Sequence, residues 1–188
     1  MPNAENTAES TSFDLFSNGP PEAAAYTSQY LIDRQQIVDV VNALCLYAEL
    51  GQWDVVRRLL GDSIKLDYSS MTRALSGSDH TGPQVLSPDE LVLMWRGSIP
   101  GFDFLQHLMT HHMVRIEGRS ANCICQVHAT HLIGKDDWIV LGRYEFELAN
   151  CARGWKVNAM TLHTFKQIGI ESVRTRAGEA MERRGNAS

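Results

Sequence analysis

From Gln106 onward the apolar residues of this chain stop recurring at helical spacing and begin to alternate. The alternation persists through four segments, 106–117, 121–133, 138–149 and 154–165. Successive side chains of a strand point to opposite faces, so each segment reads as a β-strand with one apolar face. The connectors EGRS, GKDD and NCARG are short and contain turn-forming residues. Strands joined by such turns pair antiparallel with their neighbours. The second half of the chain is therefore expected to be a strand meander whose apolar face needs a cover.

The first half supplies that cover. Asp33 can cap a helix with Gln36 at its third position, and Ile37, Val40, Val41, Leu44 and Ala48 then recur on one helical face until Gly51. A shorter helix from Trp53 to Leu60 follows. Ile64, Leu66 and Tyr68 alternate with Lys65 and Asp67, as in a half-buried strand. Ser69 to Leu86 reads as a long loop. Ser87-Pro88-Asp89-Glu90 opens a third helix bearing Leu91, Val92, Met94 and Trp95, which Pro100-Gly101 closes. The order is α, α, β, α, β, β, β, β, α. Helices followed by a meander imply an α+β fold in which the helices pack on one face of a curved antiparallel sheet. This domain is expected over 29–168, after a flexible leader at 1–28 that has no apolar period. Residues 169–188 form a polar C-terminal helix and tail, with Val173 and Met181 as apolar contacts. That helix is a lid over a pocket, a surface helix or a dimer element.

A chain of 188 residues, 44% hydrophobic and 21% charged, is enough for one domain with a sizeable core. Its formal charge of -5 offers no basic surface to a phosphate backbone or an anionic membrane. No stretch approaches the roughly 18 to 20 apolar residues of a membrane span, and the N-terminus has no basic segment followed by an apolar one. Nucleic acid and membrane are not expected partners, and a cytosolic location is expected. Cys45, Cys123, Cys125 and Cys151 are too irregularly spaced for a disulfide framework or a zinc motif, and read as reduced and mostly buried.

Five of the seven histidines fall between residues 107 and 131, in the first two strands of the meander. If Gly118-Arg119-Ser120 is a three-residue hairpin loop, Glu117 sits opposite Ala121 and His107 lies across from His131. The same face then carries Met109 and His111, while His112, His128 and Thr130 point the other way. A two-residue loop would shift the register by one and separate His107 and His131 onto opposite faces. Two imidazoles within reach of each other on a concave apolar face make an acid/base pair. Such a pair needs a carboxylate to fix a tautomer and stabilise the imidazolium. Glu49, at the end of the first long helix and adjacent to apolar Ala48, is best placed to supply it. Tyr68 can offer its phenol to a substrate oxygen. Tyr47, Trp95, Met109, His111 and Tyr144 are the expected substrate contacts. The competing readings are ordinary: histidines satisfied in a core or interface, a packing tyrosine, a solvated helix glutamate. A histidine-held metal is the sharper rival. However, the HATH spacing puts His128 and His131 on opposite faces, and no carboxylate interrupts the apolar face, so no metal is expected.

Tyr47-Ala48-Glu49-Leu50-Gly51-Gln52-Trp53-Asp54, then Leu66-Asp67-Tyr68, Ser87-Pro88-Asp89-Glu90-Leu91, Gln106-His107 and Gly154-Trp155-Lys156-Val157, resemble in order and spacing the SnoaL-like branch of the nuclear-transport-factor-two-like superfamily. Within it the likeness is nearest to the scytalone dehydratases, over about residues 30 to 168. The resemblance implies a cone-shaped α+β barrel whose open end holds a small hydrophobic molecule such as a polyketide or terpenoid intermediate. It implies catalysis by histidine and an acidic residue without metal or organic cofactor, in a dehydratase, isomerase or cyclase. It places His107 and His131 at the two catalytic histidines, Tyr68 at one of two water-holding tyrosines and Glu49 at the catalytic acid, one methylene longer than the family's aspartate. The second tyrosine falls at Ala48, with Tyr47 adjacent, and the family's serine and asparagine fall at Gly142 and Tyr144. A homo-oligomer, dimer or trimer, is expected. The alternative is a non-catalytic binding or assembly module of the same fold.

Overall fold

The computed structural model describes residues 19, 22–71, 82–169 and 172–185. Most of the expected leader, and the middle of the expected loop before Leu86, lie outside the described residues. Helix α1 spans Ser28–Glu49 and α2 spans Trp53–Leu59, followed by strands β1 (Leu60–Asp67) and β2 (Gln84–Leu86). Helix α3 (Pro88–Arg96) and a short helical turn, Ile99–Gly101, lead into the long strands β3 (Phe104–Glu117), β4 (Ser120–Ile133), β5 (Asp136–Cys151) and β6 (Gly154–Gly169). Helix α4 (Ser172–Gly185) closes the described chain.

Helix α1 begins earlier than the Asp33 signal suggests. Thr27 is the cap, its hydroxyl accepting from the Tyr30 N–H at 3.1 Å. Asp33 lies inside the first turns, where its carboxylate accepts from Trp155 Nε1 at 3.0 Å and ties the helix to β6. Ile37, Val41, Leu44 and Ala48 form the buried face. At the other end Gly51, at φ 66°, lets the chain reverse. The Gln52 N–H reaches the Tyr47 carbonyl and the Gly51 N–H reaches that of Ala48. This paired closure is the αL stop that favours glycine, and it pins Glu49 in the last turn. Helix α3 has the expected capping box, with Ser87 and Glu90 satisfying each other's backbone N–H groups.

The six strands form one sheet in the order β2-β1-β6-β5-β4-β3. The meander β3 to β6 is antiparallel, as its alternation and short turns predict. Strand β1 departs from that expectation by running parallel to β6, so the sheet is mixed. An apolar alternation carries no information on strand direction; the long path from β1 to β6 sets it. Strand β2 was not expected either. It pairs antiparallel with β1 through only three residues, too few to show a period. The core between helices and sheet contains Ile37, Leu44, Ile64, Leu91, Phe146 and Met160, all fully buried.

The β3–β4 hairpin corrects the predicted register and explains why its consequence survives. Glu117 pairs with Ser120, so the loop has two residues, with Gly118 at φ 61°. Carried unchanged down the ladder, that pairing would place His107 and His131 on opposite faces. Between Thr110 and Met113, however, His111 and His112 together oppose Cys125, a β-bulge that shifts the register by one more residue. Beyond it His107 pairs with Ala129 and Leu105 with His131, so the two histidines share a face as diagonal neighbours.

The bulge also exchanges its own two residues. His111 takes a left-handed conformation, φ 57°, and is exposed with its Nδ1 3.0 Å from the Thr110 hydroxyl. His112 is half-buried instead, and its carbonyl accepts from Arg34 Nη2 of α1 at 3.2 Å. The expectations that His111 points inward and His112 outward are thus both reversed, because the extra residue breaks the two-residue period.

Candidate functional site

The inner face of β3 to β6, Tyr68 and Met71 after β1, the end of α1, α3 and the turn after it line an open cavity of about 150 Å³. Its wall is mainly apolar, and the side chains with polar atoms among its lining include His107, His131, Tyr68, Tyr144, Cys45 and Ser98.

His107 is held by the end of α1. One carboxylate oxygen of Glu49, Oε1, accepts both the His107 backbone N–H at 2.6 Å and the ring Nδ1–H at 2.8 Å. Both side chains are mostly shielded, at 14% and 13% exposure. A charge-assisted bond of this kind is worth more than a neutral one, and little water competes for it here. The geometry assigns the proton to Nδ1 and leaves the Nε2 lone pair for whatever enters the cavity. Strand β3 lies at the sheet edge, so its outward N–H needs a partner, and Glu49 supplies it.

His131 is built differently. Its Nδ1 lies 3.0 Å from the Trp138 carbonyl, directly across the β4–β5 ladder, and a carbonyl can only accept. Nδ1 therefore carries the proton and Nε2 is the acceptor. The ring lies between Trp138, with centroids 4.3 Å apart, and Phe102 at 4.9 Å. Burial, reinforced by the neighbouring His107, lowers its pKa from 6.5 to about 4, although the Trp138 carbonyl bond favours the protonated form. At neutral pH this ring is a fixed, uncharged acceptor. The His107 and His131 centroids are 6.2 Å apart with the rings at 79°.

Opposite the histidines a second polar group forms around Tyr68. Tyr144 and Trp95 stand beside it in the cavity wall. The Tyr68 hydroxyl faces Met160 Sδ at 3.9 Å. Burial raises the pKa of both phenols, so each keeps its proton. Burial first, and the Glu49 carboxylate second, push the Cys45 thiol up to about 12.

Of the residues singled out by sequence, His107, His131, Tyr68, Trp95 and Tyr144 line this cavity, and Glu49 reaches it through His107. Tyr47, Met109 and His111 do not. Tyr47 and Met109 are half-buried against the core, and the bulge turns His111 out. Sequence reasoning missed Cys45, Phe102 and Trp138. Cys45 is one turn before Glu49 on the same helical face, and Trp138 follows from a two-residue turn at Gly134-Lys135; both signals were present. Phe102 had no periodic signal. Gly142, where the resemblance would place a serine, has no space for one: a Cβ there would meet the His163 carbonyl. Among the described residues no group of three or more His, Cys, Asp or Glu is placed to hold a metal ion.

Helix α4 does not line the cavity. Its buried Val173 and Ala177 instead dock where Gly101 leaves no room for a side chain against the Ala177 carbonyl. Arg176 adds an ion pair to Asp136 at 2.8 Å. The helix thus backs the turn whose Ile99 and Phe102 form cavity wall. No helix among the described residues is long and apolar enough to cross a membrane.

A family model described as a SnoaL-like domain matches residues 29–161. No curated protein matches the chain. Among solved structures, the Kfla4162 protein from Kribbella flavida superposes with a TM-score of 0.68 at 23% identity, covering 81% of this chain and 99% of its own. A candidate scytalone dehydratase from Novosphingobium aromaticivorans gives 0.62 at 15% identity, covering 76% and 90%. Hexachlorocyclohexane dehydrochlorinase LinA-type3 from Novosphingobium barchaimii LL02 gives 0.62 at 13% identity, covering 76% and 92%. Likeness at these identities is a likeness of fold.

Proposed function

The chain belongs to the SnoaL-like domain family, and from that premise we propose that it is a cofactor-independent acid/base enzyme, a lyase or isomerase acting on a hydrophobic, oxygenated small molecule. The observation that carries this reading is the double acceptance by Glu49 Oε1 of the His107 N–H and Nδ1–H. A binding module has no need to fix an imidazole tautomer with a shielded carboxylate. A base does.

In the proposed reaction His107 Nε2 removes a proton from a carbon next to a carbonyl. The C–H electron pair moves into the enolate, whose oxygen takes a hydrogen bond from Tyr68. Glu49 stabilises the resulting imidazolium. With a β-hydroxyl present, the enolate pair forms the C=C bond, the C–O bond breaks, and the His107 proton leaves with the hydroxyl as water. Without one, return of the proton to another carbon moves the double bond. His131 stays neutral throughout and holds a hydroxyl hydrogen at Nε2. Elimination is favoured by the names carried by two structures of the same fold, a candidate dehydratase and a dehydrochlorinase, each of which describes loss of a small molecule.

The test needs no knowledge of the natural substrate. The full-length protein is incubated with cyclohexanone in D₂O and loss of the α-hydrogen signals is followed by proton NMR; β-hydroxycyclohexanone is followed by the ultraviolet absorbance of its dehydration product. Exchange or elimination faster than in buffer, and lost in His107→Gln, is expected. Equal rates with the parent protein, the variant and buffer alone would remove the catalytic reading and leave a binding module.

A further inference from the structure

Both ends of the β3–β4 hairpin are anchored, and between the anchors the two strands differ in length. At the turn Glu117 meets Ser120. At the other end Phe104 meets Leu132, where the Asp103 N–H donates to the Leu132 carbonyl at 2.9 Å and the Asp103 carboxylate accepts from the Gly134 N–H at 2.7 Å. From Phe104 to Glu117 β3 supplies 14 residues. Their partners run from Ser120 to Leu132, one residue fewer. One residue of β3 must therefore bulge, and the position of that bulge sets which face His107 takes.

A bulge on the turn side of His107 leaves its ring in the cavity, as observed. A bulge between Phe104 and His107 would instead set Leu105 and Gln106 together against His131. His107 would then pair with Thr130 and turn its imidazole to the outer face, away from Glu49. Side-chain burial discriminates weakly between the two frames. The observed one half-buries Leu105 and Met109 and leaves Leu108 50% exposed; the other would bury Leu108 in their place. The backbone does not favour the observed position either, since His111 takes φ 57° there, a costly angle for a residue with a Cβ.

Helix α1 supplies what the strand lacks. Strand β3 is the edge of the sheet, and three side chains of α1 reach its free backbone groups. The Tyr30 hydroxyl donates to the Val114 carbonyl at 3.3 Å, Arg34 Nη2 donates to the His112 carbonyl at 3.2 Å, and Glu49 accepts the His107 N–H. Of these three, Arg34 alone grips the bulge itself, and with a charged donor, the stronger kind of hydrogen bond. We propose that Arg34 is a positioning residue for His107: by holding the His112 carbonyl it keeps the extra residue of β3 at His111-His112, and so keeps the imidazole in the cavity and against Glu49. The placement of the ring rests on strand geometry; its consequence for turnover rests on the acid/base reading above.

The test follows the backbone amides of Gln106, His107 and Leu108 and the ring nitrogens of His107 by NMR of the full chain, with saturation transfer to detect a minor state. Loss of one charge-assisted hydrogen bond shifts an equilibrium by at least about tenfold. Arg34→Met, which keeps the apolar stem, should therefore populate a second state at these residues at least about tenfold above the parent, with the Nδ1 bond to Glu49 broken. Arg34→Lys, which keeps a charged donor, should hold that state near the parental level. Exchange of the α-hydrogens of cyclohexanone should fall in proportion to the second state, with KM unchanged. Deletion of His111 makes the strands equal in length and leaves one frame, with His107 inward; in that background Arg34→Met should add no second state. No second state in Arg34→Met, or one that persists after the deletion, would overturn the proposal. If Arg34→Met does not fold, the double variant decides: a folded protein with one frame sustains the role, and continued unfolding makes Arg34 a general structural residue. If the deletion alone unfolds the chain, His111→Gly, which relieves the angle at the bulge, takes its place and should suppress the second state. Two frames in Arg34→Met with no exchange by the parent would remove the catalytic reading and keep the positioning role. Exchange by the parent with one frame throughout would do the reverse.

Discussion

His131 should make the fold acid-sensitive in a defined window. In the folded protein its ring titrates at about 4, against an ordinary value of 6.5, because it is 8% exposed and lies against Phe102 and Trp138. Above pH 6.5 the ring is neutral both folded and unfolded, and folding is indifferent to pH on its account. Between 6.5 and about 4 the unfolded chain binds a proton that the folded chain refuses, so stability falls as pH falls. The gap of about 2.5 units corresponds to roughly 3 kcal/mol at about 1.4 kcal/mol per unit, all of it lost once the pH is below both values. The half-buried His112, whose pKa is lowered by burial and by Arg34, acts in the same direction. The assay is urea denaturation followed by far-ultraviolet circular dichroism, from pH 7.5 to 4.5, on the parent protein and His131→Gln. The variant is expected to be less stable overall but to have a shallower dependence on pH, the two curves converging by roughly 2 to 3 kcal/mol as the pH falls. Parallel curves would mean that the ring accepts its proton freely in the fold, and the reasoning from burial and aromatic stacking would fail.

Other perturbations follow from the same geometry. Glu49→Ala leaves the His107 N–H without its acceptor and should cost about 2 to 4 kcal/mol in the same denaturation assay; Glu49→Gln, which keeps an acceptor oxygen, should cost less yet slow α-hydrogen exchange by on the order of a hundredfold through loss of imidazolium stabilisation. Equal effects of the two on exchange and stability would reduce Glu49 to a structural role. At the bulge, His111→Gly should stay within about 1 kcal/mol of the parent because glycine adopts positive φ freely, whereas His111→Val should lose about 1 to 2 kcal/mol to the same backbone angle. Two equal melting temperatures would refute the strain. Gly101→Ala should loosen α4 at a cost of about 1 to 3 kcal/mol, and, because Ile99 and Phe102 move with that turn, weaken cyclohexanone binding; faster proteolysis of α4 without any change in binding would detach the helix from the cavity.

Local periodicity and short turns make three features legible in the residues alone: the meander, the buried face of α1 with Glu49 in its last turn, and the capping box of α3. Each rests on contacts between residues a few positions apart, so the pattern and the structure report the same physics. The shared face of His107 and His131 was foreseen, but through a three-residue loop that does not exist. A two-residue turn and the bulge at His111-His112 each shift the ladder by one, and together they restore the parity. A bulge leaves no period to read, since it is decided by which side chains α1 and β4 can pack against at that point. The parallel placement of β1 beside β6 has the same origin in long-range packing. So does the chemical difference between the two histidines. Two identical side chains on one face of the sheet differ because one meets the Glu49 carboxylate brought by a helix 58 residues away, while the other is enclosed by aromatic rings and a backbone carbonyl. Only the tertiary structure sets those surroundings, and at His131 they keep the ring neutral.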